Sequence, residues 1–331
     1  MIRARVEGWL VAVLAAVLGI FAVCLVDALD WIGRPFAGFL FLENGIAVSI
    51  ARADWAQTRY RDVPFARVLA VDGRPVAGGR DVHAYVAAAG VGKPITYTFR
   101  KGADIFRLAI PVRPFAPDDF LEIIVPLLAV GLLMILVSAA VVALRPAMPA
   151  ARALFFVCLG IGVSMIASPD EWAHYRFGMP YFLAGCMVPP AFTHLALTYP
   201  QRAGFLDRGP AIYALLYLPF VALAGALIVA SPEPSLFLPL LYCMYFLVAN
   251  AAVLFLGALV VGLIDGVRPR QAVVLSLVAV LGSCVIAGAV LATYPLLQRP
   301  LSPASFLGPL LFFPIVEGIA LVRFPTLTVP E

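Results

Sequence analysis

Val68-Leu69-Ala70-Val71-Asp72-Gly73-Arg74-Pro75-Val76 is the stretch on which the reading of the first third of this chain turns. Four consecutive apolar residues, two of them β-branched, read as a strand, and Asp72-Gly73 supplies the positive φ angles of a tight hairpin turn. On the N-terminal side, Gly38-Phe39-Leu40-Phe41 and Ile46-Ala47-Val48-Ser49-Ile50 flank Glu43-Asn44-Gly45, a second turn of the same kind. On the C-terminal side a short helix near 80–89 stops at Gly90, and its apolar stripe is Val82, Val86 and Ala89. Two closing strands follow, Pro94 to Arg100 and Ile105 to Val112, joined by Lys101-Gly102-Ala103-Asp104. Residues 30–118 are therefore expected to fold as a compact α+β domain.

The flanking sequence is of another kind. The chain has 331 residues, of which 63% are hydrophobic and 13% charged, with a mean hydropathy of +1.00. Long charge-free runs at that level belong to an integral membrane protein. Spans are expected near 9–29, 120–144, 152–167, 180–199, 211–230, 236–263, 271–293 and 303–323, which makes an all-α polytopic bundle of eight transmembrane helices. Short loops keep their arginines on one side: Arg3 and Arg5, Arg145 and Arg152, Arg202 and Arg208, Arg268 and Arg270, and Arg323. That side is expected to be cytoplasmic, leaving both termini inside and residues 30–118 extracytoplasmic, with only Arg176 and Arg299 as arginines in the short outer loops.

The domain organisation read from this pattern is a signal-anchor helix (1–29), the inserted domain (30–118), a seven-helix bundle (119–324) and a cytoplasmic tail (325–331). The first span lacks a clean small-x-small cleavage site, which favours an uncleaved anchor over a secretory peptide. The five cysteines, Cys24, Cys158, Cys186, Cys243 and Cys284, all fall within spans and form no C-x-x-C pair, so they read as small packing residues.

The segment Val68 to Val76, the groove-type helix after it and the last strand pair together resemble a PDZ domain of the bacterial type. The resemblance implies a ligand groove between the strand edge at Gly38, Phe39, Leu40 and Phe41 and the helix face carrying His83 and Ala87, with a peptide adding as an extra strand. The loop ahead of that strand offers a single glycine, Gly38, where the family has two. This moves the expectation away from generic peptide capture and toward a domain docked on the bundle. Trp172, His174, Tyr175 and Arg176 are the extracytoplasmic loop residues best suited to make such contacts. Arg34, Arg52, Arg59, Arg61 and Arg67 form a basic cluster that can attract an acidic ligand or lipid headgroups.

A second resemblance sits farther along. His194-Leu195-Ala196-Leu197-Thr198-Tyr199-Pro200 is similar to the H-x-x-L-x-F/Y-P signature in the membrane input regions of bacterial sensor histidine kinases of the quorum-sensing competence type. These kinases also carry a PDZ-like segment after their first helix. The resemblance implies a two-component sensor in the bacterial cytoplasmic (inner) membrane that relays recognition of a peptide, lipid or small ligand to a cytoplasmic output domain or kinase partner. The sequence ends at Val329-Pro330-Glu331 with no room for a kinase, so the output is expected on a longer protein or a separate chain.

Ionisable residues inside a bundle are costly and therefore informative. His194 and Glu317 lie at similar depth, counted from Pro180 and Pro303, and are expected to form a polar pair beside a kink at Pro189-Pro190. Asn250 is expected to join two helices. Ala15-x-x-x-Gly19 allows close approach of two first spans in a homodimer. No H-E-x-x-H, G-x-S-G, Walker or Rossmann pattern occurs, so neither catalytic residues nor a metal nor a cofactor is expected, and nothing points to nucleic acid. The competing readings are a PDZ-bearing scaffold or regulator of an envelope protease, and a transporter with helices broken at its many prolines.

Overall fold

The computed structural model of the chain describes residues 2–60, 62–285 and 303–324. Residues 286–293 of the expected seventh span, Arg299 and the tail 325–331 lie outside the described residues.

The long helix α1 (Ile2–Asp30) leads into an α+β domain. Its elements are β1 (Pro35–Phe36), β2 (Arg67–Val71), β3 (Arg74–Pro75), α2 (Gly79–Ala89), β4 (Pro94–Lys101), β5 (Asp104–Pro111) and β6 (Arg113–Pro114). Four strands make an antiparallel sheet in the order β3-β2-β4-β5, and β1 pairs with β6 in a two-stranded ribbon. The ribbon brings the entry and exit of the domain together. The turn between β2 and β3 places Asp72 at φ 47° and Gly73 at φ 77°, as the tight hairpin requires, and the Asp72 carboxylate accepts the Thr96 N–H at 2.7 Å. The predicted Glu43-Asn44-Gly45 turn also forms. Phe41 pairs with Ala47 across it, and Gly45 adopts φ 77°.

Helix α2 buries Val82 and Val86 and ends at Gly90 with φ 78°. The aromatic rings of Phe39, Phe41, Tyr97 and Phe99 fill the space between this helix and the sheet. Burial of these rings supplies a hydrophobic core of the domain's own.

The remaining described residues are mainly helical: α3 (Pro117–Leu144), α4 (Pro149–Glu171), α5 (Gly178–Thr198), α6 (Ala211–Ala230), α7 (Pro234–Ile264), α8 (Arg270–Val280), α9 (Pro303–Leu310) and α10 (Phe312–Arg323). A π turn over Phe120–Ile124 lies within α3, and a second, Leu281–Val285, extends α8. Among the described residues five helices, α1, α3, α4, α6 and α7, are long and apolar enough to cross a membrane. The chain is a helical membrane protein. Helix α5 has 21 residues, but Pro189, Pro190, Thr193 and His194 make it less apolar. Helices α3 and α4 are the most enclosed of the five, whereas α1, α6 and α7 leave most of their apolar surface bare, as faces turned to lipid do.

Packing between the enclosed helices depends on glycine. A Cβ at Gly162 would sit 2.6 Å from the Gly131 carbonyl oxygen, and one at Gly131 would sit 2.7 Å from the Gly162 carbonyl. The backbones of α3 and α4 therefore touch, which is how small residues bring membrane helices together. Gly160 is equally tight against the Ala184 carbonyl of α5, at 2.8 Å. Gly162→Val is expected to destabilise the folded chain by about 1–3 kcal/mol, the usual range for overpacking. Thermal unfolding in detergent checks this, with Gly19→Val, at a glycine facing open space, leaving the transition in place.

Candidate functional site at the seam between domain and bundle

The polar chemistry concentrates where the α+β domain rests on the bundle. The turn between α4 and α5, residues 172–177, is shaped by Asp170. Its carbonyl accepts the N–H groups of Ala173, His174 and Tyr175, and its carboxylate Oδ2 accepts those of Arg176 at 2.6 Å and Phe177 at 2.7 Å. Tyr175 is held at φ 60°, an uncommon backbone state for a bulky residue and one that directs functional scrutiny to the turn.

Tyr175 is the wedge of this seam. Its hydroxyl donates to the Phe41 carbonyl at 3.2 Å, and a Cβ at Gly79 would lie 2.1 Å from that hydroxyl and 2.7 Å from the Leu42 carbonyl. Only glycine at the first position of α2 leaves room for the ring. Arg80 closes over it: its guanidinium stands 5.1 Å from the Tyr175 ring centre, donates to the Tyr175 carbonyl at 3.2 Å and pairs with Glu43 at 3.0 Å.

One turn further along α2, His83 points its Nε2 at the Trp172 carbonyl, 2.9 Å away. A carbonyl can only accept, so Nε2 carries the hydrogen. The imidazole lies between Trp31 at 5.9 Å and Tyr175 at 6.2 Å. Its pKa falls from 6.5 to about 4, chiefly through burial, with the Trp172 carbonyl opposing the shift and the nearby His174 adding to it.

The position of these groups corrects the expected ligand groove. Phe39, Leu40 and Phe41 are fully buried and Gly38 is buried with them, so the strand edge at 38–41 is not open. His83 is taken up by the chain's own turn 172–177: its Nε2 meets the Trp172 carbonyl and its ring lies beside Tyr175, whose hydroxyl reaches Phe41. Ala87 is exposed and takes no part. Of the four loop residues, Trp172 and Tyr175 touch the domain, while Arg176 pairs with Asp27 of α1 and, at 3.4 Å, with Asp170. His174 sits beside the Asp27 and Asp170 carboxylates. Arg80 and Asp170, the organisers of the seam, were not distinguished by any local pattern.

A second attachment stands at the entrance to α3. Asp119, completely buried, accepts from Arg52 Nη1 and Trp55 Nε1 at 2.9 Å each, from Arg113 Nη2 at 3.1 Å and from the Ala116 N–H at 2.8 Å. The basic cluster is thereby partly neutralised, since Arg52 serves Asp119 and Arg34 pairs with Asp30.

The structure does not bring His194 and Glu317 together. His194 turns toward α6, with Nδ1 3.1 Å from the Tyr217 hydroxyl and its ring 5.1 Å from Tyr213. Glu317 is fully buried where α10 packs on α3 and α8, and neither of its carboxyl oxygens has a hydrogen-bond partner among the described residues. Equal depth along two helices does not fix the faces they present. Asn250 likewise does not join helices: it is exposed and donates to the Phe246 carbonyl of its own helix at 2.7 Å.

No protein family, curated protein or solved structure matches this chain.

The low pKa of His83 has a signed consequence. Above about pH 6.5 the imidazole is neutral in both docked and released states, and docking has its full strength. Between about 6.5 and 4 the released imidazole takes a proton that the docked one refuses, so docking weakens as pH falls. Arg80, His174 and Tyr175 are the charged or titratable groups around it. Protease accessibility of the turn 172–177 is expected to rise across this interval and to lose most of its pH dependence in His83→Gln.

Proposed function

We propose that this chain is a membrane-embedded sensor and signal-input module. In this reading residues 30–118 are an extracytoplasmic PDZ-like domain, eight helices cross a bacterial inner membrane, and both termini are cytoplasmic. The observation that carries it is the seam, where the face of α2 that a ligand groove would use is held by the chain's own turn through Gly79, Arg80 and His83. A peptide, lipid or small ligand that favours the released face competes with that turn, and it shifts the balance only by its difference in affinity for the two states.

The bundle supplies a relay. Helix α3 is anchored to the domain by Asp119 at one end. At the other, Arg145 donates to the Val322 carbonyl at 2.6 Å, tying the end of α3 to the end of α10. A change in how the domain sits is thus transmitted along a rigid helix to the last helix before the cytoplasmic output. Gly19, exposed on α1 with open space around it, leaves that helix free to meet a second copy. Helices α4, α5, α6 and α7 run unbroken through Pro169, Pro189, Pro190, Pro219 and Pro239, so these prolines do not supply the discontinuous midplane helices of a transporter, whereas the expected last span is interrupted at Leu311, between α9 and α10.

Spin labels at Leu144→Cys and Ile319→Cys, on a chain with its native cysteines replaced by alanine, test the relay in lipid nanodiscs. Releasing the domain with Gly79→Val is expected to shift or broaden the distance distribution between the two labels. An unchanged distribution, with the domain shown to be released, removes the signalling reading.

A further inference from the structure

Beside the seam, three groups with the chemistry of metal ligands converge from separate parts of the chain. Asp27 comes from the end of α1, Asp170 from the end of α4, and His174 from the turn that follows it. One ligand atom from each lies within 4.8 Å of the other two. Two features separate this cluster from an ordinary set of surface charges. Asp170 is almost wholly buried, and its Oδ1 makes no hydrogen bond among the described residues and has only the Arg176 Nε at 3.4 Å beside it, although Oδ2 of the same carboxylate holds two backbone N–H groups. The Nδ1 atom of His174 is also buried without a hydrogen-bond partner. Burying such atoms without hydrogen bonds is costly, and a cation beside them offsets that cost.

The groups already treat this place as cationic. The Arg176 guanidinium pairs with Asp27 and, at 3.4 Å through Nε, with Asp170. It leaves the two carboxylates with one surplus negative charge. Its side chain is about half exposed, so it can swing into water without disturbing the core.

We propose that Asp27, Asp170 and His174 form a binding site for a divalent transition-metal ion, which displaces the Arg176 guanidinium on entry. Two carboxylate oxygens and one imidazole nitrogen suit zinc or manganese better than calcium or magnesium, because the imidazole is a poor partner for the hard ions. Bonds of about 2.0–2.2 Å require the three ligand atoms to draw in from their present spread. Water completes the coordination. The bound ion fixes the outer end of α1 to the turn that carries Trp172 and Tyr175, so occupancy stiffens the seam. The site does not rest on the signalling reading, and the spacing of its ligands, one of them about 145 residues from the others, is beyond any linear motif.

The test uses the full, untagged chain in nanodiscs, stripped by chelator and titrated calorimetrically with Zn²⁺, Mn²⁺, Ca²⁺ and Mg²⁺. The expected result is one equivalent of Zn²⁺ or Mn²⁺ bound in preference to Ca²⁺ and Mg²⁺. His174→Ala and Asp27→Asn each weaken binding by about tenfold or more, and Arg176→Gln strengthens it by removing the competing cation. His174→Ala is decisive because His83 and His194, the chain's other histidines, are committed to Trp172 and Tyr217. Absence of saturable binding at one equivalent, or affinity unchanged in both His174→Ala and Asp27→Asn while the variants remain folded, overturns the proposal.

Discussion

The buried carboxylate of Asp119 is the constraint on which the arrangement of domain and bundle depends. It sits at the first turn of α3 and collects two guanidinium groups, an indole N–H and a backbone N–H from the α+β domain and its exit strand. A charge taken fully out of water is tolerated only when it is paired and hydrogen-bonded on all sides, and this one is. The geometry that satisfies it fixes where the domain ends and at what angle the helix begins. Removing Asp119 would leave Arg52 and Arg113 without their common acceptor at the point where the chain enters the bundle.

A single attachment would still let the domain pivot. The wedge of Tyr175 against Gly79 supplies the second, and between them Trp31 stacks on Phe115 with ring centres 4.7 Å apart. Two separated contacts and an aromatic layer make the domain part of the bundle's structure. The two contacts differ in character. Asp119 is a buried ionic network, expensive to open, whereas the Tyr175 seam is held by neutral hydrogen bonds, one partly exposed ion pair and a histidine that must stay uncharged. The seam is the side on which the domain can release while remaining attached to α3.

Much of the domain was readable because its determinants are local. Asp72-Gly73, Asn44-Gly45 and Gly90 dictate their own backbone angles, and Val82 and Val86 report a helix face within one turn of each other. The aromatic residues of the turn, Trp172 and Tyr175, were also legible as contact candidates. Their partners were not. Tyr175 meets Phe41 across 134 positions and Arg80 across 95, and no short window carries such a pairing. The expected groove failed for a related reason: a strand and a helix with the right spacing define a cleft, but only the tertiary fold shows that another loop of the same chain lies in it. His194 and Glu317 show the limit for membrane helices, where depth follows from counting residues and facing does not. The number of spans met a similar limit, since α5 is long enough to cross a membrane while its prolines and histidine lower its apolarity.

The central claim is that the α+β domain and the bundle are one body, locked at the face of α2 by the turn 172–177. Amide hydrogen exchange of the full chain in nanodiscs reads this lock directly, with Tyr175→Ala as the comparison. The account predicts that the amides of Gly79–Ala89 and of residues 172–177 are protected together and lose protection together when the ring is removed, while β4 and β5 keep theirs. Independent exchange of the two segments in the native chain, or no change in either when Tyr175 is truncated, would contradict it.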